Sequence, residues 1–108
     1  MTGVQTCALP IFINDSIGRV WRLGTVGTAI GASGVPGLAD LRGKPDLHGR
    51  ALQTTEIGFA DELAAAASAL MGQADEGRPV VLMRGVRWPR REGSARELQR
   101  PREQDLFR

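Results

Sequence analysis

The chain has 108 residues, a formal net charge of +2, 42% hydrophobic and 24% charged residues, and a single cysteine. This is enough for one small domain, and it excludes an internal disulfide framework. No apolar run in the sequence approaches the roughly 20 residues that a membrane-spanning helix needs, and with unpaired cysteine usage this makes a cytoplasmic protein the expectation.

In chain order, residues 1–11 (MTGVQTCALPI) have neither the basic region nor the apolar run of a secretory signal. The string TGVQTCALPI resembles the conceptual translation of a sequencing-adapter oligonucleotide. The natural protein is therefore expected to begin near Phe12, with this chain a C-terminal piece of a longer one, and Cys7 is expected to carry no chemistry. Residues 12–24 read as a strand end running into a polar loop, because NDSIGR combines side chains that bond nearby backbone with a permissive glycine. TVGTAIGASGV (25–35) is β-branched and glycine-rich, as a strand in close backbone contact would be. Residues 36–52 repeat Gly and Pro and predict a long structured loop, and 52–58 predict a strand.

FADELAAAASALMG (59–72) is the clearest element. Phe59, Leu63, Ala67, Leu70 and Met71 share one helical stripe, Asp61 and Glu62 lie in the first turn where the helix dipole favours acids, and Gly72 closes the helix. RPVVLMRG (78–85) predicts a short buried strand, so that 52–85 form a strand–helix–strand unit. The fold class expected is α+β, a mixed sheet with one clear helix at about 59–72. Fourteen glycines and 5% aromatics predict many turns and a core of small side chains, of marginal stability without a covering partner.

From Arg84 onward, eight arginines face Glu92, Glu97, Glu103 and Asp105. Residues 86–108 thus form a basic arm. Interleaved acids and few aromatics favour a solvated arm with local ion pairs over a nucleic-acid surface.

Three places could carry chemistry. Asp15 and Ser16 offer a carboxylate beside a hydroxyl, a donor pair suited to Mg²⁺ or Mn²⁺ when phosphates and water complete the shell; NDSIG is equally a good turn. Arg19 and Arg22 flank Trp21 and could hold phosphates or a carboxylate, or could be surface residues around a core tryptophan. Gln73, Asp75 and Glu76 offer oxygens in the loop after the helix, which on spacing alone reads as solvated. His48, the only histidine, has no partner at a recognisable spacing and reads as a loop residue.

NDSIGRVWRLGTVGTAIGASGV, then DLRGKPDLHGRAL, then TTEIGFADELAAAASALMGQADEGRPVVLMRG resemble, in that order, the C-terminal half of the coenzyme F-420 gamma-glutamyl ligase family. The resemblance covers about residues 12–85, and the terminal RPREQDLFR is similar to the end of bacterial members. It implies an incomplete piece of the gamma-glutamyl ligase fold, from a homodimeric enzyme with no membrane or nucleic-acid partner. The implied activity is GTP-dependent addition of L-glutamate by an amide bond to the deazaflavin precursor F-420-0. Mg²⁺ or Mn²⁺ would be required, with K⁺ a candidate accessory ion.

By motif, the resemblance makes Asp15 an acidic metal ligand, Ser16 (where the family usually has Thr) a hydroxyl ligand to a second metal, and Gln73 a further ligand. Met71, Gly72, Gln73, Ala74, Asp75, Glu76, Gly77 and Arg78 match the guanine-nucleotide segment. Arg19 and Arg22 are assigned to the phosphate site on their chemistry alone. The family's other nucleotide contacts, a lysine and a second carboxylate belong to its N-terminal half, so the chain by itself is expected to be inactive. The alternatives are a non-catalytic module of the same fold and, less favoured, a small basic nucleic-acid-binding protein.

Overall fold

The computed structural model describes residues 10–88 and 93–105. Its backbone is organised by one long antiparallel ribbon. Strand β1 (Ile11–Arg19) pairs with β2 (Arg22–Ser33). Phe12, Asn14 and Ser16 are half-buried while Ile11, Ile13, Asp15 and Ile17 are exposed, the period-two alternation of a strand covered on one face. The register is interrupted between Ile13 and Asn14 and between Ile17 and Arg19; at the first break Ile30 is the extra residue on β2, and such bulges bend and twist a ribbon.

The expected loop at NDSIGR is not formed. Asn14, Asp15 and Ser16 are strand residues opposite Ala29, Thr28 and Gly27, and the chain reverses later, at Val20 and Trp21 between the paired Arg19 and Arg22. A complete cross-strand ladder satisfies more backbone groups than the local turns these side chains could make. Trp21 is no core residue either. It sits at the end of the ribbon with φ of 64° and 93% of its surface exposed.

Helix α1 (Phe59–Met71) covers the half-buried face of the ribbon. Its start, end and acidic first turn are those the sequence predicts, and Gly72, at φ 81°, donates its N–H to the Ser68 carbonyl. The buried stripe is Ala60, Leu63, Ala64, Ala67 and Ser68. Leu70, expected on that stripe, is 56% exposed, because small side chains rather than large ones meet the ribbon. Gly27 shows why. A Cβ there would lie 2.6 Å from the Ser68 Cβ and 2.7 Å from the Ala64 carbonyl oxygen, so helix and strand approach to backbone contact. Two polar links fix the approach: the Asn14 amide donates to the Ala64 carbonyl at 3.2 Å, and the Ala29 N–H donates to the Asp61 carboxylate at 2.9 Å.

The predicted structured loop is an extended hairpin. β3 (Ala39–Asp40) pairs with β4 (Glu56–Ile57), and backbone bonds Leu41–Thr55, Gly43–Leu52 and Asp46–Arg50 carry the pairing towards an Asp46–Arg50 turn. The strand expected over 52–58 is thus reduced to Glu56–Ile57. Every described pairing is antiparallel; the parallel component of the expected mixed sheet is absent among the described residues.

Residues 78–85 form no strand. They run extended with Val81 and Met83 turned partly inward, while Val80 and Leu82 are 87% and 68% exposed. The apolar sequence predicts burial, but no described backbone lies alongside to pair with it, and the expected strand–helix–strand unit is left unclosed. The arm from 86 onward is not simply solvated. Trp88 meets Phe59 with ring centroids 6.2 Å apart. Ser94 and Glu97 form a capping box at a 3₁₀ turn, and Glu97 accepts from the Leu38 N–H at 3.2 Å. Residues 1–9, with Cys7, and residues 89–92 and 106–108 of the arm lie outside the described residues.

Candidate functional site

Where the middle of β1 passes the C-terminal end of α1, a small polar cavity of about 130 Å³ opens. Its lining is Asn14, Asp15, Ser16, Ser68, Met71, Gly72 and Gln73. Asp15 and Ser16 on one side and Gln73 on the other, more than fifty positions apart in sequence, therefore come to one place. The close approach at Gly27 sets the helix height over the ribbon, and the left-handed Gly72 turns the chain so that Gln73 folds back over Ser68. A side chain at position 72 would collide with the Glu76 carboxylate as well as strain the backbone.

The hydrogen bonds orient the donors. The Gln73 amide nitrogen donates to the Ser68 hydroxyl at 2.5 Å, which leaves its carbonyl oxygen as the available end. One Asp15 oxygen, Oδ1, accepts from the Ser16 N–H at 2.8 Å. Its other oxygen has no protein partner among the described residues. The oxygen donors are a carboxylate, two hydroxyls and the amide oxygens of Asn14 and Gln73, with no thiolate or imidazole; the one sulfur in the lining is the Met71 thioether, which accepts from the Asn14 amide at 3.8 Å. Hard divalent cations take such donors, and Mg²⁺ commonly uses only one or two protein carboxylates. The donor chemistry fits Mg²⁺ or Mn²⁺ provided that phosphate and water complete the shell; no three His, Cys, Asp or Glu side chains gather among the described residues.

The other site residues are placed elsewhere. Arg19 and Arg22 face each other across the end of the ribbon, where Arg19 donates to the Leu23 carbonyl at 3.1 Å. Arg19 lies four residue steps along the strand from Asp15, roughly 13 Å at the usual rise, and neither arginine lines the cavity. Within 71–78, only Met71, Gly72 and Gln73 reach it. Ala74, Asp75, Glu76, Gly77 and Arg78 continue as an exposed loop held by the Ala74 N–H on Glu76 (2.9 Å) and by Arg78 on the Leu70 carbonyl (3.2 Å). His48 is an exposed loop residue, as expected.

Sequence reasoning did not single out Asn14 or Ser68. Asn14 ties β1 to the helix and Ser68 aims Gln73. Ser68 sits five residues before Gln73 in a run of alanines, and a hydroxyl on the buried stripe was the available signal. Away from the cavity, the Arg42 guanidinium grips the Asp40 carboxylate through two bonds of 2.7 and 2.9 Å. That contact, reinforced by the Arg42 backbone N–H, holds the Asp40 pKa down at about 2.

Among known proteins, a family model described as F420-0:Gamma-glutamyl ligase matches residues 2–85. A coenzyme F420:L-glutamate ligase of Methanococcus maripaludis (strain C6) is 56% identical over 98 residues, covering 91% of this chain and 40% of the relative. The ligase of the same name from Methanocaldococcus jannaschii is 53% identical, over 91% of this chain and 39% of its own length. That of Methanosarcina mazei is 39% identical, over 93% and 40%. The chain thus spans about 40% of the length of the curated relatives it matches.

Proposed function

This chain belongs to the F420-0:gamma-glutamyl ligase family, and on that premise we propose that it is part of an enzyme that joins L-glutamate to the deazaflavin precursor F420-0 at the expense of GTP. The observation that carries the site assignment is the convergence of Asp15, Ser16 and Gln73 on one polar cavity.

In this reading a carboxylate oxygen of F420-0 attacks the γ-phosphorus of GTP, and the bond to the β-phosphate oxygen breaks to release GDP. The glutamate amine then attacks the carbonyl carbon of the acyl phosphate. Phosphate leaves, the nitrogen gives up a proton, and an amide remains. A bound divalent cation supplies charge neutralisation at the phosphates during transfer. Asp15 contributes the anionic ligand, Ser16 the hydroxyl and Gln73 the amide oxygen. Ser68 holds Gln73 in the coordinating orientation, and the exposed loop 74–78 borders the nucleotide. Arg19 and Arg22 serve phosphate or carboxylate groups that extend along the ribbon from the cavity. The enzyme is proposed to act as a homodimer, and the 108-residue chain is proposed to lack turnover by itself.

The test uses a full-length protein that contains this sequence. Asp15→Asn is expected to weaken Mn²⁺ binding in the presence of GTP, read by electron paramagnetic resonance, by about 10- to 100-fold, and to abolish glutamate transfer. Retention of GTP binding and ligation by that variant, or by the parent in excess chelator, would overturn the assignment.

A further inference from the structure

Larger than the polar cavity is an open apolar trough of about 620 Å³. Part of its lining is the N-terminal half of β1, Ile11–Asn14. Another part of the lining is the extended segment Pro79–Met83. Leu63, Ala67 and Met71 of α1 also line it, as do Val35 and Trp88. Both segments are strand-like backbones without a full complement of described partners. Among the described residues β1 is bonded to β2 on one side only, and residues 79–83 make no backbone hydrogen bond to any of them. Their inward–outward alternation is nevertheless that of a strand: Val81 and Met83 turn in, Val80 and Leu82 turn out.

An extended apolar segment whose N–H and C=O groups are unpaired is a template for another strand. The outer faces of the two segments carry Ile11, Ile13, Val80 and Leu82, all more than half exposed. A strand lying between them would therefore be covered with apolar side chains on both faces, which calls for a continuous Val/Ile/Leu-rich run rather than an alternating one. The relatives supply a source, since about 60% of their length lies outside the part that this chain matches.

We propose that the trough is the seat of one guest β-strand, apolar on both faces, drawn from the part of the family's polypeptide that this chain does not contain. The guest bonds to the edge of β1 away from β2 on one side and to Pro79–Met83 on the other, which unites β2, β1, the guest and 79–83 in one sheet over α1. This rests on family membership and not on the proposed chemistry of the polar cavity.

The experiment is amide hydrogen exchange on the 108-residue chain, alone and covalently joined to the non-matching portion of the Methanocaldococcus jannaschii ligase. In the joined protein the amides of Val80–Met83 are expected to exchange at least about a hundredfold more slowly than in the chain alone, and Val81→Pro is expected to remove that protection while leaving that of α1. Equal exchange in the two proteins would overturn the proposal. So would protection of 80–83 in the chain alone that grows with its concentration, because the trough would then be filled by a second copy. Glutamate ligation measured on the same joined protein separates the two ideas: ligation with unprotected 80–83 refutes the guest strand and leaves the enzyme assignment standing.

Discussion

Gly27 is the residue on which the geometry of the polar cavity turns. With the Ser68 Cβ only 2.6 Å from where its own Cβ would stand, Gly27→Ala must lift α1 from the ribbon. A loss of about 1–3 kcal/mol in unfolding free energy is expected, against a change within about 0.5 kcal/mol for Gly18→Ala, which meets nothing within 4 Å; urea unfolding of both variants decides it. Asp40 provides a test of a different kind. Its carboxyl is held at about 2 by Arg42, below the ordinary unfolded value near 3.9. A depressed carboxylate lends stability above its unfolded pKa, and that contribution disappears as the pH falls from about 4 through 2. The pair is exposed, so the energetic effect is small, but an NMR titration of the Asp40 side chain should show a midpoint near 2 that returns to the usual carboxylate range in Arg42→Ala.

Among the elements, α1 was readable from end to end because its signals are local: an acidic first turn, a periodic stripe and a glycine stop. The ribbon was only half readable. Strand β2 declared itself through its β-branched residues, whereas NDSIG has turn chemistry and is nonetheless strand. Its polar side chains face a helix end and solvent, and pairing with Thr28 and Gly27 outweighs local bonding. The reversal falls instead on Val20–Trp21, with a tryptophan in the left-handed region that glycine prefers. Trp21→Gly is expected to raise stability by about 1 kcal/mol by relieving that strain. A lower midpoint in thermal unfolding would show that the ring makes contacts that outweigh it.

For the molecule as a whole, the buried apolar set is Val35, Ala60, Leu63, Ala64 and Ala67, with few large side chains. Ile11, Ile13, Val80 and Leu82 remain outside it. A small interior beside an apolar trough describes a structure that gains stability by being covered. The joined protein of the exchange experiment should therefore melt above the 108-residue chain, because a partner that binds only the folded form shifts its equilibrium towards that form. Equal melting temperatures would mean that the trough contributes nothing to the assembled protein.

Composition, helix periodicity and the ordered motifs were enough to determine the family and the one α-helix among the described residues, and to nominate a short set of oxygen donors. Those features are local or additive along the chain. Only the tertiary structure decided that Asp15 and Ser16 belong to a strand, that Gln73 is turned towards them by Ser68, that Arg19 and Arg22 stand at the far end of the ribbon, and that 78–85 pairs with no described backbone. Each of these depends on which backbone lies alongside, and no short stretch of sequence records the identity of its neighbour.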